Sequence, residues 1–382
     1  MIYLDNAATS FPKPHAVRRA IIESLDFSAN PGRAGHSMSM RASEEVYKCR
    51  SEVADFFNVK SVENVILTPG CTFALNTVIK GTLKKGDHVV ISSYEHNSVV
   101  RPLQRLSDEG IINYSVAMVY DGDDDKTIDS FRNCINKNTR LVICTHASNV
   151  FGVKLPVSRI AALCKYYGIL FCLDAAQTAG VETIDINELG ADFLCAPAHK
   201  GLYGTMGTGI LIINTDKIPE PLCEGGTGSG SLEIGQPLAL PDRFESGTIN
   251  LSGICALREG IAFVKQKTTE KIRDYEMNLM HTLYSELSKN KEVILYTHPP
   301  VKHTHVPILS FNLKDKTCEE VAAMLDRRFL IAVRAGIHCS PLAHRTMGTD
   351  TSGTVRVAPS AFTTKDNVHS LIRAVNIISK TK

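Results

Sequence analysis

The sequence predicts an α/β fold: a large domain on a mainly parallel, seven-stranded sheet flanked by helices, then a smaller α+β domain. Three observations carry this. Seven short apolar runs between residues 65 and 213 alternate largely with stretches of helical periodicity, the pattern of a parallel sheet covered on both faces. The chain has 382 residues, more than the roughly 250–300 at which a single core stops growing. Beyond residue 250 the alternation gives way to long helical stretches and a short mixed unit, which divides the chain at 1–250 and 251–382.

In order, Asp5-Asn6-Ala7-Ala8-Thr9 reads as a polar turn, 13–26 as a helix and Ser28 to His36 as a loop rich in Gly and Pro. A long helix is expected from Ser37 to Asn58, with Ala42, Val46, Val53, Phe56 and Phe57 on its apolar face. Val65 to Leu67 reads as a strand and Phe73 to Leu83 as a helix. Strands at His88 to Ile91, Tyr114 to Val119 and Leu141 to Thr145 alternate with helices at Ser98 to Glu109, Ile128 to Asn136 and Pro156 to Tyr167. The runs Ile169 to Leu173, Ala191 to Ala198 and Ile210 to Ile213 complete the sheet. Helices follow over 251–289. The last unit reads as strands Val306 to Leu313, Ile331 to Arg334 and Thr354 to Ala358 with helices Cys318 to Arg328 and Lys365 to Ser379.

Composition excludes several classes. With 42 basic and 40 acidic residues the net charge is +2, so there is no electrostatic case for nucleic acid or an anionic membrane as partner. No apolar run reaches the roughly 18 residues of a spanning helix. The start MIYLDNAATSFPKP lacks the basic-then-apolar order of a signal peptide. The 11 cysteines form no C-x-x-C pair, and Cys144, Cys172 and Cys195 sit in apolar runs as small core hydrophobes. The expectation is a reducing cytoplasm.

Chemistry concentrates where strands end. One apolar run stops on Asp174, followed by Gln177; another stops on His199-Lys200, followed by Gly201, Gly204, Gly207 and Gly209. In an open α/β sheet, ligands sit beyond the carboxyl ends of strands, so this acid and this lysine can face one crevice. A pyridoxal phosphate site needs that pair, a lysine for the Schiff base and a carboxylate for the ring nitrogen. Gly70-Cys71-Thr72 before a helix is either an anion site or simple N-capping by Thr72. His96 follows a strand and Asn149 follows another. Glu224 to Ser231 is glycine-rich, but no G-x-G-x-x-G register fits it, and an active-site loop is the better reading. Cys339 lies in a loop beside His338 and near Arg334, and is either a plain exposed cysteine or, in that electropositive setting, a nucleophilic thiolate. A metal site from His338, Cys339 and His344 lacks a paired fourth ligand, and no metal is expected.

These motifs resemble the class V aminotransferase family of pyridoxal-phosphate enzymes of fold type I, specifically its cysteine desulfurases. The resemblance rests on Y-L-D-N-A-A-T at the start, Glu95-His96-Asn97-Ser98, Asp174-Ala175-Ala176-Gln177, His199-Lys200, Phe244-Glu245-Ser246-Gly247-Thr248-Ile249-Asn250, Arg334 to Pro341 and Gly353 to Ala358. It implies that Lys200 carries pyridoxal 5'-phosphate, that Asp174 meets the ring nitrogen and Gln177 the ring oxygen, and that His96 stacks on the ring. Cys71, Thr72 and His199 would hold the phosphate, with Thr248 supplied across a homodimer interface. Residues 1–12 would pack on the small domain. Arg356 and Asn149 would bind the substrate carboxylate, and Cys339 would take sulfur from L-cysteine, leaving alanine and a persulfide for a sulfur-acceptor protein, as in iron–sulfur cluster assembly. L-selenocysteine is the alternative substrate. Transamination or epimerisation with Cys339 idle is the alternative reaction, and a cofactor-free sulfur-carrier scaffold is the distant one. The chain departs from the pattern at Pro197-Ala198, where many relatives have a phosphate-binding serine, at Ile337 in place of His, and at Ser340 in place of Ala.

Overall fold

The structure, a computed structural model, describes residues 1–32, 35–230 and 232–381. Arg33 and Ala34 of the first loop, Ser231 of the glycine-rich loop and Lys382 lie outside the described residues. The main sheet has seven strands in the spatial order Val65–Thr68, Gly209–Ile213, Phe193–Pro197, Leu170–Asp174, Thr139–Thr145, His88–Ser92 and Asn113–Ala117. Gly209–Ile213 runs antiparallel to both of its neighbours, and the remaining pairs are parallel. The carboxyl ends of six strands therefore share one edge with the amino end of the seventh.

Both faces of the sheet are buried, which is why its strands read as continuous apolar runs. Val142, Phe171, Leu194 and Ile212 pack under helices Ser37–Phe56, Asp124–Cys134, Val157–Tyr167 and Leu251–Lys267. Ile91, Ile143, Cys172 and Leu211 pack on the other face under helices Cys71–Thr82 and Asn97–Asp108. A third core joins Phe311, Val355 and Val357 to helices Thr269–Leu287, Cys318–Phe329 and Lys365–Ile378. Its sheet has the order Arg334–Gly336, Thr354–Val357, Leu309–Leu313, Val293–Leu295, all antiparallel.

The C-terminal part differs from expectation in four places, the first being the unforeseen edge strand Val293–Leu295. The strand expected from Val306 begins at Leu309, because Pro307 has no N–H for a ladder. The run Ile331 to Arg334 breaks at Val333. Ile331–Ala332 pairs with Ile2–Tyr3 at the N-terminus, whereas Arg334–Gly336 pairs with Thr354–Val357. The segment after Cys339 is a short helix, Pro341–Thr346, with proline at its first position, where a missing N–H costs nothing.

One buried ion pair fastens the segment that carries Thr248. Glu245 meets Arg50 through two bonds of 2.7 and 2.8 Å, with both side chains 8% exposed, and it also accepts the Leu67 N–H at 2.7 Å. Arg50 donates in addition to the Val65 carbonyl. The pair ties Phe244–Asn250 to the helix and strand that precede the Gly70 turn. Removing one partner strands a buried charge, so Glu245→Ala is expected to lower unfolding free energy by about 3–5 kcal/mol in urea titrations.

Candidate active site

A cavity of about 630 Å³ opens at the shared strand edge. Of the residues given a cofactor, substrate or catalytic role above, all line it except Thr248 and Cys339. Thr248 is exposed and is not part of this cavity's lining. Cys339 is exposed at the rim, next to His338, which does line the cavity.

At one end of the cavity, helix Cys71–Thr82 begins directly after its strand. Its N-cap is Gly70, and no side chain caps it. The first-turn N–H groups and the positive dipole end therefore make an anion site on the cavity wall. Thr72 is not the cap: its hydroxyl shares a 2.7 Å hydrogen bond with Ser98 Oγ. Gly209, on the neighbouring strand, allows the close approach. A Cβ there would lie 2.7 Å from Gly70 Cα and 2.9 Å from the Cys71 nitrogen.

Beside this turn lie the strand ends that lead to Asp174 and Lys200. Asp174 is 3% exposed, and its Oδ1 accepts from the Ala176 N–H at 2.9 Å and the Cys71 thiol at 3.6 Å. Burial pushes its carboxyl up, opposed by the Ala176 N–H, Lys200 and Cys71. Burial likewise lowers the Lys200 ammonium, with Asp174 the chief opposing charge. Burial also raises the Cys71 thiol well above its ordinary range. Gln177 Nε2 donates to the Ala7 carbonyl at 3.2 Å. The His199 carbonyl accepts from the Ser10 N–H and from Lys13 Nζ, each at 2.9 Å, which seats the N-terminal segment over the lysine loop.

His96 caps helix Asn97–Asp108, accepting the Ser98 N–H at Nδ1 (3.1 Å). An N–H only donates, so the proton of the neutral ring belongs on Nε2. Burial holds this imidazole down to about 4, helped by Lys200, Arg334, Arg356 and Arg101. Beneath it, fully buried Glu95 accepts the Thr145 N–H at 2.8 Å and the Ser92 hydroxyl, joining the His96 loop to the neighbouring strand end. Burial pushes Glu95 up to about 8 against those two hydrogen bonds.

Arg356 is 1% exposed. It donates to Asp5 Oδ1 at 2.7 Å and to the Asn149 carbonyl at 2.8 Å, and its Nε has no partner among the described residues. Cys339 sits 4.0 Å from Arg334 Nη2, and its carbonyl accepts the Asn97 N–H at 2.8 Å. Sequence reasoning gave no role of their own to Ser98, Asp5 and Glu95, although each lies in a motif that it singled out. Ser98 and Glu95 lie within the E-H-N-S motif, so a signal was present. Asp5 meets its arginine 351 positions away, and no local pattern announces that.

The donor set fits a planar, phosphorylated heteroaromatic aldehyde. An uncapped helix N-terminus suits the phosphate. Asp174 Oδ2 receives no hydrogen bond among the described residues and suits a ring N–H. His199 Nδ1 is buried in the wall with no partner among the described residues. Lysine and carboxylate at neighbouring strand ends of such a sheet define the class: pyridoxal-phosphate enzymes of fold type I. The chain belongs to the class-V aminotransferase family, whose family model matches residues 2–371. A Methanothermobacter thermautotrophicus protein named "Probable cysteine desulfurase" is 33% identical over 97% of this chain and 92% of its own length. A cysteine desulfurase of Yersinia pestis is 32% identical over 100% and 94%. The apo structure of a cysteine desulfurase from Thermococcus onnurineus NA1 superposes with a TM-score of 0.90 at 31% identity, covering 99% of this chain and 94% of that one.

Two outcomes are expected. Gly209→Ala forces Gly70 and Cys71 aside, at an overpacking cost of about 1–3 kcal/mol, so the dissociation constant for pyridoxal phosphate, read by fluorescence titration, is expected to rise about tenfold. Glu95 has a raised pKa in the folded chain, so the stability it contributes is fully present below its ordinary 4.5 and is lost as pH rises through about 8. Urea midpoints measured from pH 5 to pH 9 are expected to fall over that window in the native chain and to fall less steeply in Glu95→Gln.

Proposed function

We propose that this chain is a pyridoxal-phosphate-dependent cysteine desulfurase, converting L-cysteine to L-alanine and leaving the sulfur as a persulfide on Cys339. The observation that carries the reading is the placement of an exposed thiol beside Arg334 at the mouth of a cavity walled by Lys200, Asp174, His96 and Arg356. A transaminase has no use for that thiol.

Lys200 would hold the cofactor, Asp174 would neutralise its ring N–H, and the first turn of helix Cys71–Thr82 with His199 would take its phosphate. Once bound, the cofactor supplies an electron sink for the pair left at the substrate's Cα. Burial disfavours the charged form of Lys200, so its amine is available to take the α-proton. Neutral His96, with its proton on Nε2, offers a flat face over the site and a donor on the cavity side. Gln177, which lines the same cavity, would meet the ring oxygen. Arg356 has unused N–H groups and is poised by Asp5 and Asn149 to grip the substrate carboxylate. Cys339 then attacks the substrate sulfur as thiolate. An S–S bond forms, the C–S bond breaks, its electron pair stays with carbon, one proton completes the methyl group, and Lys200 returns the α-proton to Cα to give alanine.

Thr248 is exposed and outside this cavity, which suits a role at the phosphate of a second copy in a homodimer. The exposed position of Cys339 suits transfer of its persulfide to an acceptor protein. Product analysis with L-cysteine and L-selenocysteine tests the reading. Native protein loaded with pyridoxal phosphate is expected to release alanine from L-cysteine, Lys200→Ala to lose the activity, and Cys339→Ala to lose more than about 100-fold of it. Steady alanine release from L-cysteine by Cys339→Ala would contradict it.

A further inference from the structure

The residues on either side of Cys339 are tied to one carboxamide. Asn149 Nδ2 donates to the His338 carbonyl at 2.8 Å, and Asn149 Oδ1 accepts from Ser340 Oγ at 2.6 Å. The orientation follows from chemistry. A carbonyl only accepts, so the amide nitrogen faces His338, the oxygen faces Ser340, and the Ser340 hydroxyl must be the donor. All three residues are buried, Ser340 fully so.

Ser340 is diverted from a more ordinary task. It occupies the N-cap of helix Pro341–Thr346, a position where serine usually accepts a backbone N–H, yet it makes no side-chain cap. Its hydroxyl is spent on Asn149 instead. The loop it steadies is also conformationally costly. His338 and Cys339 both have left-handed backbones, with φ of 51° and 60°, a geometry that side chains of this size hold only where their surroundings enforce it. The Asn97 N–H on the Cys339 carbonyl adds a third tie. Asn149 meanwhile uses its own carbonyl to hold Arg356.

We infer that Ser340 is a positioning residue: through Asn149 it clasps the strained Cys339 loop and fixes the thiol relative to the arginine proposed to hold the substrate carboxylate. The loss of this clasp lets the loop leave its left-handed geometry, so the sulfur samples positions from which it cannot reach the substrate. Carboxylate binding is untouched, because Arg356 contacts Asn149 through the backbone. The role in turnover rests on the desulfurase reading, whereas the clasp itself does not.

The test uses full-length, cofactor-loaded protein and the variants Ser340→Ala, Asn149→Ala and the double substitution. Hydrogen–deuterium exchange at residues 338–340 is expected to quicken about fivefold in Ser340→Ala, the factor that one ordinary buried hydrogen bond supports. Alanine release is expected to show a similar fall in kcat with KM for L-cysteine unchanged. Ser340→Ala is expected to add nothing further when Asn149 is already alanine, since the hydroxyl acts through that amide. Unchanged exchange in Ser340→Ala, or an undiminished additional effect in the double substitution, overturns the clasp. Quickened exchange in a protein whose native form releases no alanine supports the clasp and removes the desulfurase reading. Should Ser340→Ala not fold, exchange in Asn149→Ala decides: the same quickening at residues 338–340 supports the clasp and its absence overturns it.

Discussion

Burial of a carboxylate and an amine at neighbouring strand ends is the constraint on which the site depends. Asp174 and Cys195 are partners across the parallel pair Leu170–Asp174 and Phe193–Pro197, so the register that fills the core also fixes where the acid stands relative to the loop bearing Lys200. Removal from water disfavours the charge of each, and each opposes that shift in the other. The pair is costly to hold apart from solvent and becomes useful when a bound aromatic ring needs a base on one side and a counter-charge on the other. The uncapped helix, neutral His96 and His199, whose Nδ1 has no partner among the described residues, surround the same space.

The C-terminal part brings the groups to which the proposed function assigns substrate specificity. Strand Thr354–Val357 delivers Arg356, and the edge strand Arg334–Gly336 delivers Arg334 and then the Cys339 loop. Both are tied to distant segments. Asp5 supplies the counter-charge of Arg356, Asn149 holds Arg356 and the loop, and Asn97 holds the Cys339 carbonyl. The N-terminal strand Ile2–Tyr3 pairs with Ile331–Ala332, and the following turn donates to the carbonyl of His199. The first dozen residues thus connect the arginine strand to the lysine loop, which explains how a two-residue strand can matter to the chemistry.

Much of this was legible from sequence because burial on both faces leaves a plain signal. The seven apolar runs gave the sheet strands to within a few residues, and Asp174, His199 and Lys200 announce themselves as polar residues that stop such runs. The less legible parts have physical reasons. Ile2–Tyr3 and Ile331–Ala332 are too short to carry a period, and each is a strand only because of the other. The run Ile331 to Arg334 looks continuous, but tertiary pairing splits it between two sheets. Thr72 reads as a cap, whereas the helix begins one residue earlier and its hydroxyl turns to Ser98. Ser340 looks like a neutral replacement for alanine, because nothing in the sequence says that Asn149 lies within a hydrogen bond of it.

The most direct measurement is the identity of the lysine that bonds the cofactor. Protein loaded with pyridoxal phosphate is reduced with borohydride, digested, and mapped by mass spectrometry. The account predicts one phosphopyridoxyl group, on Lys200. Attachment at Lys13, whose burial beside His199 lowers its ammonium to about 8, or at no lysine at all, would contradict it.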